Sequence, residues 1–100
     1  MASYGLQTPQ KTALILAQKT RVLRLQKNWT QKTFSERSGV SLSSVRRFEQ
    51  TGQISLNSLL LLVSALGRLQ DFSDLLSAPK VKSIKELEER EQPKRQRGRV

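Results

Sequence analysis

Apolar residues along the chain return at intervals of three and four, and nowhere alternate long enough to suggest a strand. Short helices with capping residues between them follow from that period. Thr8-Pro9 opens the first, because threonine can cap and proline suits the first helical position, and the stretch runs to Lys27. Leu16, Thr20 and Leu23 share one of its faces. Leu14 and Leu25 lie nearly opposite, a spread that one small core does not easily cover. Asn28, tolerant of the left-handed conformation, ends it. Thr30 caps a second helix, Gln31 to Ser38, closed by Gly39. Ser41 caps a third, Leu42 to about Gln50, closed by Gly52. Ser55 caps a fourth, Leu56 to Leu66, with Gly67 at its end. Leu69, Phe72, Leu75 and Leu76 mark a fifth, stopped by Ala78-Pro79. Ser83-Ile84-Lys85-Glu86 is a capping-box pattern that could start a last helix, Ile84 to Glu91, before Pro93. Phe34, Val45, Phe48, Leu59, Leu60 and Val63 are the expected core, and Trp29, between helices, reads as a packing anchor.

The third helix separates its residues sharply. At roughly 100° per residue, Val45 and Phe48 point one way, while Ser43, Arg46, Arg47 and Gln50 cluster on the other side. A solvated helix face often carries charge, so solubility alone is the plain reading. Against it, the face holds two arginines and no acid, with short hydroxyls beside them.

Charge changes the picture further. Lys and Arg number 18 against 8 acids in 100 residues, a net charge of +10, which favours a polyanionic partner, nucleic acid before an anionic membrane. Residues 1–28 carry five cations and no acid, and residues 80–92 carry four of each sign. The closing PKRQRGRV carries four cations and no acid and reads as a disordered basic tail. Arg95, Arg97 and Arg99 could follow phosphates, dock on an acidic partner or do neither. The chain has no Cys and no His, which removes disulfides, thiolate metal sites and the commonest general base, so no cofactor, metal or catalytic residue is expected. Asp71 and Asp74, and the run of Glu86, Glu88, Glu89 and Glu91, read as solvated helix surfaces rather than acid–base pairs. The apolar run LLLLV at 59–63 is far too short to span a bilayer, and nothing resembles a signal peptide. A cytoplasmic, nucleoid-associated protein with no membrane role is the expectation.

QKTFSERSGVSLSSVRRFEQ, residues 31–50, resembles the helix-turn-helix of the phage Cro/C1 and xenobiotic-response-element repressors. Gln31 stands first, Phe34 is the apolar fourth residue, and Ser35 is the small fifth, where alanine is usual. Gly39 is the ninth, at the turn, followed by Val40, and Val45 and Phe48 fill the fifteenth and eighteenth positions. ISLNSLLLLVSALG resembles the family's fourth helix and DFSDLL its fifth. SVRRFEQTGQISLNSLLLLVSALG and the basic ending are also similar to HipB-like antitoxins, the partners of HipA-type Ser/Thr kinases.

The resemblance implies an all-α fold: a five-helix repressor-like domain over residues 8–77, and an extension over 78–100 with a short helix and a basic tail. It implies that the third helix enters the major groove. Arg47 then has the planar fork for guanine O6 and N7, and Arg46 could read a base or grip a phosphate. Ser43 is a base-contact candidate and Ser44 a phosphate candidate, near the helix start; Leu42 could touch a thymine methyl or simply pack. Gln31, Gln50, Gln53 and Asn57 are further phosphate candidates. The implied function is a sequence-specific repressor of its own operon, binding a palindromic operator as a homodimer, with a HipA-type kinase as partner. The alternatives are a stand-alone repressor, or an adaptor that uses the fold without DNA. Leu61, Leu14 and Leu25 are surplus apolar positions for a dimer or a kinase contact.

Overall fold

The computed structural model describes residues 8–79 and residue 88. Four α-helices occur in order: α1 (Pro9–Gln26), α2 (Gln31–Ser38), α3 (Leu42–Thr51) and α4 (Leu56–Ala65), followed by a 3-10 helix over Leu69–Phe72. No strand occurs among the described residues. The expected helix from Ile84 to Glu91 and the basic tail lie outside the described residues, Glu88 apart.

Each α-helix begins with a hydroxyl cap. Thr8, Thr30, Ser41 and Ser55 accept backbone N–H bonds from Lys11, Thr33, Ser44 and Ser58 at 3.0–3.2 Å. Each cap satisfies one of the four N–H groups that a helix start leaves without a partner. The ends are as local. Asn28 adopts φ 61°, and Gly39, Gly52 and Gly67 adopt φ 75–80°. Ser35, where alanine is usual, uses its hydroxyl: Ser35 Oγ donates to the Val40 carbonyl at 2.5 Å across the α2–α3 turn.

The core is built from Phe34, Val45, Phe48 and Leu62, all essentially inaccessible, with Ala17, Val40, Leu59, Val63 and Leu66 around them. Leu60, an expected core residue, is only half-buried, and Leu62 takes the inward place.

The expectations for α1 and for the fifth helix hold in part. On the α1 face that carries Leu16, Thr20 and Leu23, Thr20 is buried and Leu23 packs partly on the core, while Leu16 stays 36% exposed; Ala17 and Arg24 complete the buried stripe. The α-carbon of Gly52, at the end of α3, lies so near α1 that an added Cβ would stand 2.8 Å from the carbonyl carbon of Ala13. At that point α1 presents the small Ala13 to the end of α3. The fifth helix is a single 3-10 turn. Only its Phe72 reaches the core, while Leu75 is 58% and Leu76 95% exposed, the latter with φ 62°, which a continuing helix forbids.

Candidate nucleic-acid interface

Helix α3 is amphipathic in the way the sequence suggests. Val45 and Phe48 are buried against α2 and α1, and Ser43, Arg46, Arg47 and Gln50 are exposed on the far side. Leu42 and Ser44 are half-buried at its N-terminus. The helix has one acid, Glu49, and its side chain is 4% exposed, turned away from the arginine face. The outer surface of α3 is therefore cationic with no exposed carboxylate to cancel it.

Glu49, on α3, is held by side chains from two other helices, α1 and α2. Arg24 of α1 donates to it twice, from Nε to Oε2 at 2.7 Å and from Nη2 to Oε1 at 3.0 Å. Its remaining nitrogen, Nη1, donates to the Trp29 carbonyl at 2.8 Å in the α1–α2 turn. Gln31 Nε2, at the start of α2, donates to Glu49 Oε1 at 2.9 Å. A buried, bidentate and fully hydrogen-bonded pair of this kind fixes the orientation of α3 relative to α1 and α2. Sequence reasoning missed it. The available signals were an arginine four and seven residues along from Thr20 and Ala17, and a lone acid beside Phe48.

The α3–α4 corner orders a second cluster. Arg47 donates to Gln53 Oε1 from Nε at 3.2 Å and from Nη2 at 2.6 Å. Thr51 Oγ1 donates to the Arg47 carbonyl at 2.7 Å and accepts from the Gln53 backbone N–H at 3.1 Å. Arg47 is thereby drawn toward the start of α4, over an open cleft of about 310 Å³ lined by Ser44, Arg47, Gln53, Ile54, Ser55 and Ser58. Three of the expected contact residues, Ser44, Arg47 and Gln53, meet at this cleft. Ser43 is outside its lining, with Oγ 3.2 Å from that of Ser41, and Asn57 is exposed on α4, also outside it. Gln31 stands apart, its amide nitrogen committed to Glu49. Trp29 packs its ring on Phe34, centroids 6.0 Å apart, with the Arg37 guanidinium 4.9 Å and the Lys27 ammonium 5.4 Å from the ring centroid. It acts as an anchor for the turn.

Among the described residues, no group of three or more His, Cys, Asp or Glu side chains could hold a metal ion, and no helix is long and apolar enough to cross a membrane. Two short helices joined by a glycine turn, the second presenting arginines and hydroxyls outward, define a helix-turn-helix DNA-binding domain. The helix-turn-helix family profile matches residues 21–71, about half of the chain, and the chain belongs to that family. It is a sequence-specific DNA-binding regulator of the helix-turn-helix repressor class. Neither the curated proteins nor the solved structures gave a match.

Proposed function

We propose that this protein is an operon autorepressor that binds a palindromic operator as a homodimer, and that it is the HipB-like antitoxin of a pair with a HipA-type kinase. The observation that carries the repressor reading is the outer face of α3: Ser43, Arg46, Arg47 and Gln50 exposed together, with its one acid buried and paired elsewhere. On this reading Arg47 reads a guanine through its planar fork, and Ser43, Arg46 and Leu42 supply the remaining base contacts. Ser44, Gln50, Gln53, Asn57 and Gln31 serve the phosphates, Gln31 through the start of α2 rather than through its committed amide nitrogen. Two reading heads on one duplex multiply a specificity that a single small head lacks, with half-sites about one helical turn or a multiple apart. The antitoxin assignment rests on the resemblance of residues 44–67 and on the basic ending.

The test is a fluorescence-anisotropy titration against duplex DNA from upstream of its own gene and against a scrambled duplex, at two salt concentrations. The expected result is a preference for the upstream duplex and a log–log salt slope of about −0.9 per phosphate contacted. Salt-independent binding, or none, would refute the repressor reading and favour a protein adaptor. Comigration with the purified kinase in size-exclusion chromatography tests the antitoxin assignment separately. Two separate peaks would leave a stand-alone repressor.

A further inference from the structure

A cation outside the recognition helix sits at the edge of this interface with its charge unspent. Arg21, on α1, has a side chain 59% exposed, and its Nε lies 3.9 Å from Glu49 Oε1. That separation is too long for a hydrogen bond. The same oxygen already accepts from Arg24 Nη2 at 3.0 Å and from Gln31 Nε2 at 2.9 Å, and the other oxygen accepts from Arg24 Nε at 2.7 Å. One buried carboxylate charge is therefore neutralised by one buried guanidinium, Arg24, and Arg21 is surplus to the pair. An exposed ion pair with such geometry contributes little to folding.

Its position is informative. Arg21 and Gln31 converge on one oxygen, so the guanidinium stands beside the first residue of α2, and Glu49 ties both to the helix that carries Arg46 and Arg47. The start of α2 presents unpaired backbone N–H groups and the positive end of a helix dipole. A guanidinium next to it, with its fork free in solvent, makes a two-part anion site for a group with several oxygens. Resting on the DNA-binding reading above, we propose that Arg21 is a DNA-backbone contact: it grips the phosphate that lies over the start of α2 and so sets the register in which α3 enters the groove.

The experiment uses the full chain, comparing wild type, Arg21→Ala and Arg21→Lys by anisotropy titration on the upstream and scrambled duplexes over a salt series, with thermal unfolding alongside. Arg21→Ala should weaken both duplexes by the same factor, roughly 3–30-fold, and flatten the log–log salt slope by about 0.9, the release of one phosphate's counterion. Arg21→Lys should keep the slope, and all three should unfold at the same temperature. Unchanged affinity and slope in Arg21→Ala, with wild type binding normally, would overturn the assignment and leave the DNA-binding reading standing. Loss confined to the upstream duplex would overturn it in favour of a base contact, and a lowered unfolding temperature in favour of a structural role. A wild-type chain without affinity for either duplex would overturn both.

Discussion

Arg24 and Glu49, 25 residues apart in sequence, form a two-fold hydrogen-bonded ion pair with Nε–Oε2 at 2.7 Å and both side chains less than a tenth exposed. The pair joins α1 to α3. Removing one partner strands the other charge in a site that water barely reaches. Glu49→Ala should cost on the order of 3–5 kcal/mol of stability in urea unfolding, and Arg24→Ala a similar amount. Replacing both, Arg24→Met with Glu49→Leu, should cost less than either alone. Single variants as stable as wild type would show that the pair does not hold α3.

The glycines at the ends of α2 and α3 share a left-handed φ near 80° and differ in their surroundings. Nothing lies within 4 Å of a Cβ built at Gly39, so Gly39→Ala should cost only the left-handed conformation, about 1–2 kcal/mol. A Cβ at Gly52 would stand 2.8 Å from the Ala13 carbonyl carbon, so Gly52→Ala must also push α1 off α3. Paired unfolding curves should rank Gly52→Ala as clearly the worse, and equal losses would contradict the close approach.

Arg47 and Gln53 should act on DNA as one unit, because Gln53 Oε1 takes two of the guanidinium's donors. Arg47→Ala should lose about 1–3 kcal/mol at the operator and relax specificity at one base pair. Gln53→Ala should lose less, and the double variant should lose less than the two single effects added together. Strict additivity in that cycle would separate the two residues, and uniform weakening on all sequences would make Arg47 a phosphate contact.

Leu61 is 40% exposed beside the fully buried Leu62, and Leu14 and Leu25 are exposed at 36% and 47%. Under the proposed dimer, Leu61→Glu should shift the protein toward monomer in analytical ultracentrifugation and lower operator affinity in parallel. A variant that stays dimeric and keeps its partner would remove Leu61 from both interfaces.

The helix boundaries were legible in the sequence because they depend on short-range chemistry. A hydroxyl at Thr8, Thr30, Ser41 or Ser55 reaches an N–H three residues on, and a glycine or Asn28 supplies the left-handed end. The exposed face of α3 was legible for the same reason, since one helix wheel separates Val45 and Phe48 from Arg46 and Arg47. Periodicity misled where packing distance decides. The face of α1 that carries Leu16, Thr20 and Leu23 buries Thr20 and part of Leu23, but Leu16 stays exposed, and the close approach of Gly52 to Ala13 sets how α1 lies on α3. The leucines of 69–76 have a helical spacing, yet only Phe72 finds a surface to pack on, so the helix stops after one turn.

The sequence by itself therefore determined the caps, the turns, the four α-helices and the cationic outer face of α3, each encoded within a few neighbouring residues. Tertiary structure alone decided which charges remain free at the surface. Glu49 is buried, Arg24 is consumed in neutralising it, Gln31 is turned inward, and Arg21 is left outside. A one-dimensional count treats these charges alike. They differ because a buried ion must be paired to offset its lost hydration, and the pairing is set by which helices come together in space.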